Sequence, residues 1–356
     1  MAKGRSFFKT IFVLILLVSA AALALSYISI YINPEHFRVP MFFGLYFIPI
    51  ALLNLALLLV ALFCRSKSML IPFAALLPTL FFADLFVKAG SEETVFEGNN
   101  FKILTYNVGR FGAGVEGESF SQTTLRVKNY LKEQDADIIC LQEFTIKDTA
   151  SLATFLPDYP YRACSFFKGD SFFGNVTFSR YPITSYDKIS FPRSTNLCLW
   201  SDIDVAGVPM RIYNCHLESN SISFTSVIKR LSKKETFSDE FVEVHEKLHE
   251  TNIRRTKQVE SVLESVAACK CKTIICGDFN DTPMSYTYHR LSRNMKDSFV
   301  ESGSGFSSTY SVLWPLLRID YILLPETFEA SRHEAERVPF SDHYPVSTYI
   351  YYDNRK

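Results

Sequence analysis

Three apolar runs, at about 11–32, 41–63 and 69–87, fill the first 88 residues and constrain the chain more than any other feature. Each approaches the ~20 residues an α-helix needs to cross the hydrocarbon core of a bilayer. The breaks are short and polar: Asn33, Pro34, Glu35 and His36, then Arg65, Ser66 and Lys67. Runs this close together, and apolar on every face, predict three transmembrane helices rather than a globular bundle with one wet face. Asp84, near the end of the third run, is expected to snorkel at the interface beside Lys88. Lys3, Arg5 and Lys9 precede the first run, and Arg65 and Lys67 lie in the second break. The positive-inside rule therefore predicts a cytoplasmic N-terminus and an extracytoplasmic position for everything after residue 88. The stretch from Ser19 to Ala24 resembles a signal-peptidase site, yet the apolar run continues to Ile32. Cleavage there would leave two crossings and the same final side.

The rest of the chain has a different balance. Residues 1–88 hold seven Lys/Arg and two Asp/Glu out of 37 of each, which leaves 30 and 35 beyond them and a net charge of −5. A mildly acidic segment of this length buries a full core and carries no overall basic footprint for nucleic acid. Cys64 lies in the apolar block; Cys140, Cys164, Cys198, Cys215, Cys269, Cys271 and Cys276 lie beyond it. Seven is not a tidy disulfide framework. Cys140, Cys215 and Cys276 sit in strand-like runs and read as buried thiols. That usage suits a reducing compartment, in tension with the topology, and the charge pattern is given precedence. Cys269-Lys-Cys271 is too tight for a CxxC motif.

Three parts follow: an anchor at 1–88, a polar linker at 89–100, and a soluble domain at 101–356. In the domain, short β-like runs alternate with helical stretches. Strands are predicted at 101–107, 137–142, 175–179, 199–205, 210–216, 273–276, 319–323 and 347–352. A helix is predicted at 124–133, and two charged helices at 221–268. Strands mixed with helices predict an α/β layered domain.

Several strands end in polar clusters, where sites are usually built on a rigid sheet. These are Asn107 after ILTY, Glu143 after CLQ, Asn214 and His216 before LES, Asp278 and Asn280 in GDFND, Asp320 in RIDYIL, and Asp342-His343 in SDHYP. Glu143, Asp278 and Asp342 are hard oxygen ligands suited to Mg²⁺ or Mn²⁺. His216 and His343 can exchange protons near neutrality or donate to a phosphate. Asn107 and Asn280 orient a phosphate or a water without adding charge. Carboxylates, imidazoles and amides around a hard cation suit hydrolysis of a phosphoester.

TYN at 105–107, LQE at 141–143, NCHLES at 214–219, GDFND at 277–281, RIDYIL at 318–323 and SDHYPV at 341–346 together resemble the endonuclease/exonuclease/phosphatase superfamily, in order and in spacing. The resemblance covers about residues 100–352. It implies a four-layer α/β sandwich, two packed β-sheets with helices outside. It implies a metal held by Glu143, helped by Asn107 and Asp342. Asp278 would position or deprotonate the attacking water, and Asn280 would hold that water or the phosphate. His216 would contact the phosphate, and His343, oriented by Asp320, would stabilise its oxygens. Asn175, after Gly174, and the Ser308-Thr309-Tyr310 loop match less specific family positions; Asn175 would touch the phosphate.

The apolar runs imply a membrane anchor with the bilayer as a partner, and the resemblance implies a metal-dependent phosphoesterase with a phosphoester as substrate; no obligate protein partner is inferred. Nuclease-like cleavage of phosphodiesters is one reading. Hydrolysis of lipid head groups or small phosphoesters, as in sphingomyelinases and inositol phosphatases, is the alternative. A non-catalytic scaffold is a remote third. His245-Glu-Lys-Leu-His249 matches the HExxH zinc-protease pattern, but it lies among Asp239, Glu240, Glu243, Glu246, Lys247 and Glu250, which predict a solvated helix. The basic cluster Lys229, Arg230, Lys233 and Lys234 is either a phosphate-holding element or an exposed face.

Overall fold

A computed structural model describes residues 2–90, 96, 98–112, 119–169, 172–220, 237–312 and 314–353. The chain divides into two compact units. One comprises Met1–Phe86 with Thr282–His289, the other Val87–Asp281 with Arg290–Lys356. The first boundary falls two residues before the predicted one. The return of Thr282–His289 to the first unit has no signature in the sequence pattern.

The first unit contains α1 (Ala2–Ile28), α2 (Val39–Leu45), α3 (Phe47–Phe63), α4 (Leu70–Leu76) and α5 (Thr79–Phe82). Phe7–Tyr31 and Lys67–Leu85 are long and apolar enough to cross a membrane. α2 and α3 make a third span only if the 74° bend between them lies within one crossing. The bend has a local cause. Pro49, in the first turn of α3, has no N–H to offer the carbonyl of Leu45, and its ring crowds that turn. Inside the unit, buried Asn54 donates from Nδ2 to the carbonyls of Ser19 (3.0 Å) and Ile50 (2.9 Å), and accepts from Ser19 Oγ at 3.2 Å. Bonds of this kind hold apolar helices together where packing alone is not directional. Met284 packs with Leu23, Ile30 and Phe47, and its carbonyl accepts from Ser29 Oγ at 2.8 Å.

The second unit carries the strands β1 (Val87–Lys88), β2 (Asn99–Asn107), β3 (Ile138–Ile146), β4 (Tyr161–Lys168), β5 (Phe172–Ser179), β6 (Ile183–Ser190) and β7 (Leu197–Val205). They continue with β8 (Val208–His216), β9 (Lys272–Asp278), β10 (Met295–Asp297), β11 (Gly305–Phe306), β12 (Asp320–Pro325), β13 (Glu329–Ala335) and β14 (Val346–Tyr352). The later helices are α6 (Phe120–Glu133), α7 (Leu152–Phe155), α8 (Phe237–Ala268), α9 (Tyr286–Ser292) and α10 (Ser298–Ser302).

Two six-stranded sheets form, in the orders β13-β14-β2-β3-β5-β4 and β10-β12-β9-β8-β7-β6. Both are mixed: β2 runs parallel to β3 and β8 parallel to β9, while the other pairs are antiparallel. Ile103 and Cys140 of the first sheet meet Ile212, Ile274 and Ile322 of the second in one core. On the outer face of the first sheet, Val127 and Leu131 of α6 pack with Leu104 and Leu141. α6 starts where it does because Ser119 and Gln122 form a capping box. On the second sheet, Tyr213 and Ser265 of α8 share a 2.9 Å hydrogen bond. The predicted four layers are present.

A buried polar ladder joins the sheets. Asn214 of β8 donates to the carbonyls of Leu141 (3.2 Å) and Val176 (3.0 Å), and its own side-chain oxygen accepts from Gln142 Nε2 at 2.7 Å. The ladder fixes the ends of β3 and β8 against each other.

The central strands were legible as apolar runs. The edge strands β6 and β13 were not, because they carry charge and exposure in place of apolar alternation; β4 escaped as well, although it holds Ala163, Cys164, Phe166 and Phe167. Among the described residues of 221–268 one helix is present, α8; 221–236, where the first of the two expected helices would begin, with the basic cluster and Ile222, Phe224, Val227 and Ile228, lies outside the described residues.

One ion pair deep in the unit is a test of its packing. Arg318, only 2% exposed, bonds both carboxylate oxygens of Asp297 at 2.8 and 3.2 Å and stacks near Phe299 and Tyr321. Asp297 also caps α10 through the Phe299 N–H at 2.9 Å. Arg318→Ala strips that carboxylate of its counter-charge and should cost about 3–5 kcal/mol in denaturant unfolding. A loss below about 1 kcal/mol, the range of exposed pairs, would contradict this reading.

Candidate active site

Strand register assembles the site. In the second sheet, Asp278 at the end of β9 sits directly opposite His216 of β8 on one side and Asp320 of β12 on the other. Gly277 makes this approach possible. Its φ is +124°, and a Cβ there would lie 2.0 Å from the carbonyl oxygen of Cys215. In the first sheet, Asn107 ends β2. Glu143 stands at a register shift in β3, with φ 51°, so a bulge re-aims its side chain.

Asp278, 1% exposed, is the hub. Its Oδ2 accepts from Asn107 Nδ2 at 2.9 Å and Asn280 Nδ2 at 3.0 Å, and its Oδ1 accepts from the Asn280 N–H at 2.8 Å. Asn280 also donates to the Leu217 carbonyl at 3.0 Å, from a backbone held at φ 54°. His216 Nε2 stands 3.8 Å from Asp278 Oδ2 and 3.7 Å from Glu143 Oε1. His343 Nε2 stands 3.7 Å from Asp278 Oδ2, while its Nδ1 is held by Asp320 at 3.0 and 3.2 Å.

The electrostatics follow from burial. Burial pushes the Asp278 carboxyl up to about 6, with Asp320 adding to the rise and His343 and His216 opposing it. Burial alone would lower His343, but the Asp320 and Asp278 carboxylates outweigh it and raise the imidazole to about 10. His343 is therefore an imidazolium at neutral pH, fixed in orientation by Asp320.

Asp278, Asp320 and His343 offer ligand atoms that all lie within 4.8 Å of one another. This trio differs from the ligand set expected from the resemblance. Glu143 lies across His216 from Asp278, 3.6 Å from Arg110. Asp342 accepts from Tyr310 Oη and Ser341 Oγ, both at 3.3 Å. Asn107 gives Nδ2 to Asp278 and receives the Gly109 N–H on Oδ1 at 3.1 Å, so its amide is already engaged. Among the described residues His216 Nε2 is a buried polar atom with no hydrogen-bond partner, and it points between two carboxylates. Hard oxygen donors around an unsatisfied polar centre fit a divalent cation.

Asn175 is placed differently from expectation. It is buried, and Nδ2 donates to the carbonyls of Asn214 (3.0 Å) and Leu197 (3.3 Å), which makes it part of the ladder between the sheets. The Ser308-Thr309-Tyr310 loop does reach the centre. Thr309 Oγ1 accepts from the Ile319 and Asp320 N–H groups, both at 3.0 Å, and the Tyr310 ring lies 5.1 Å from His343. Arg110 was missed. It sits at φ 54° with its guanidinium 4.1 Å over Phe173, and a lone arginine in a glycine-rich loop gives no pattern to read. His245 and His249 join no metal-competent group among the described residues.

Comparison with known proteins agrees with this geometry. The profile described as the Endonuclease/Exonuclease/phosphatase family matches residues 104–343. A domain of unknown function matches 9–85. No curated protein matches the chain. An endonuclease/exonuclease/phosphatase from Beutenbergia cavernae DSM 12333 shares 16% identity over 71% of this chain and 72% of its own, with a TM-score of 0.54. One from Bacteroides vulgatus shares 15% over 72% and 100%, also at 0.54. The mannosyl-6-phosphatase of Bacteroides thetaiotaomicron VPI-5482 shares 16% over 71% and 100%, at 0.51. Likeness at such identities speaks for the fold; the profile match, over more than half the chain, speaks for descent. The chain belongs to the endonuclease/exonuclease/phosphatase family of phosphoester hydrolases.

Proposed function

We propose that this protein is a membrane-anchored, Mg²⁺- or Mn²⁺-dependent phosphodiesterase whose chemistry centres on Asp278 and His343. The observation that carries the reading is the convergence of Asn107, Asn280, His216 and His343 on one buried oxygen, Asp278 Oδ2.

Glu143, with Asp342 and Asn107 nearby, would hold the cation; Asn107 must then exchange one of its present bonds. A divalent cation bound there supplies Lewis-acid stabilisation of the phosphoryl oxygens. The rest falls to the chain. Asp278, raised to about 6, is poised to accept a proton from an attacking water near neutral pH. Asn280 orients that water or the phosphate. His343 places a positive N–H toward the phosphoryl oxygens, and Asp320 holds its other nitrogen so that the ring cannot turn away. His216 contacts the phosphate from the opposite strand.

A second reading is hydrolysis of lipid head groups or small phosphoesters. The net charge of −5 beyond residue 88 favours it over a nucleic-acid substrate. A neighbour in fold is named a mannosyl-6-phosphatase, which is consistent with small phosphoesters within this architecture. The lysines and arginines flanking the apolar runs support an extracytoplasmic position for the catalytic unit.

The test uses the full chain in detergent with Mg²⁺, bis(p-nitrophenyl) phosphate and supercoiled plasmid. Asp278→Asn and His343→Ala should each lower kcat at least ~10²-fold, the range of a lost acid–base group, and a chelator should abolish turnover. Nicking of plasmid selects the nuclease reading. Turnover of the small probe alone selects the second. Full activity in either variant would overturn the assignment.

Stability separates catalysis from folding. The folded-state pKa of Asp278 is raised, from 3.8 to about 6, so the wild type loses stability as pH rises through that window. Asp278→Asn removes this titration, so the fall in stability between about pH 4 and pH 6 should be absent from the variant's denaturant-unfolding profile. His343 acts later: its contribution is full below 6.5 and fades as pH rises toward about 10. An Asp278→Asn variant whose stability falls over the Asp278 window as the wild type's does would contradict the buried-charge account.

A further inference from the structure

A cavity of about 580 Å³ opens between the loop that joins β6 to β7 and one face of α8. Phe191 and Ile253 give it an apolar wall, and Arg193, Arg254 and Lys257 give it three cations beside Glu250, with Arg254 also paired to Glu218 at 2.8 Å. The helix contributions recur at positions 250, 253, 254, 257, 258 and 261, one side of the helix.

The cavity is tied to the catalytic strand. The loop ends at Asn196, and the next residue, Leu197, is the register partner of His216. Glu218, two residues beyond His216, accepts from Ser194 Oγ at 2.6 Å, Arg254 Nε at 2.8 Å and Gln258 Nε2 at 3.0 Å. Asn196 Nδ2 donates to the Leu217 carbonyl at 2.9 Å. Glu218 thus braces both walls on the end of β8. Arg254 spends Nε on this brace, and its two terminal nitrogens have no hydrogen-bond partner among the described residues. Arg193 has no polar partner among them, yet its backbone is held at φ 56°, a conformation unfavourable for arginine. Strain retained in an exposed, rigidly tied loop points to a role for the side chain it presents.

We propose that this cavity is an anion subsite that binds a second phosphate group, carried by the same substrate whose phosphoester reacts at Asp278 and His343, with an apolar portion of that substrate against Phe191 and Ile253. Guanidinium forks match phosphate oxygens geometrically, and lysine adds a point charge. The preferred substrates are then phosphoesters with a further phosphate at a distance from the scissile bond. The link to the substrate rests on the proposed phosphoester hydrolysis; occupancy of the cavity does not.

The experiment is hydrogen exchange on the full chain in detergent, in the Asp278→Asn background so that turnover plays no part. Inorganic pyrophosphate is the probe and succinate the carboxylate control. Pyrophosphate should slow exchange in 191–196 and 250–261. The double variant Arg193→Ala, Lys257→Ala should weaken its binding at least ~tenfold, as expected for two lost charge-assisted contacts, with the thermal midpoint kept. No protection in those segments, equal protection by succinate, or protection that survives the double variant overturns the proposal. A chain that shows the protection but hydrolyses no phosphoester in its Asp278 form sinks the proposed function while leaving the subsite standing.

Discussion

Burying carboxylates side by side is the constraint on which this structure turns. Asp278 and Asp320 face each other across β9 and β12, both almost wholly removed from water. Two like charges at that spacing resist ionisation, and burial adds to the resistance. The protein answers with amide donors from Asn107 and Asn280 and with the His343 imidazolium. Glu143 and Asp342 add further negative charge at the rim. Four acids face two imidazoles and the Arg110 guanidinium here, and the proposed divalent cation would supply further positive charge.

The sandwich exists, at its catalytic end, to hold that arrangement. Parallel pairing of β2 with β3 and of β8 with β9 brings four strand ends to one edge. The Asn214–Gln142–Asn175 ladder keeps the two sheets from slipping, and a slip of one residue would turn every strand-end side chain to the wrong face. Arg255 works in the same sense from α8: it is buried, bonds the Glu218 carbonyl through Nε at 2.9 Å and meets Asp281 at 3.0 Å, so the loops after His216 and after Asp278 share one clamp. Glu143, Asn280 and Arg110, all at positive φ, add local backbone strain here.

Much of this was legible in the sequence because the central strands are apolar and stop at polar residues. Asn107, His216, Asp278, Asn280, Asp320 and His343 do meet in space, as the six motifs implied. Asn175 shows the limit of such reading. Its position matched the family, but only the fold reveals that its amide is spent between the sheets. Arg110 lay in a loop with no periodicity to mark it. The bend of the second apolar run came from one proline, which a hydropathy pattern averages away. Edge strands β6 and β13 were lost because they are polar, which is also what keeps an open edge tolerable.

The direct test of the charge argument is Mn²⁺ binding by the full chain, read from the electron paramagnetic resonance signal of the free ion. The account predicts that the chain depletes free Mn²⁺, and that Glu143→Gln weakens this at least ~tenfold, as outer or inner carboxylates of a metal site do. A chain that leaves the free signal unchanged would contradict it, because the buried carboxylates would then have been balanced without a cation.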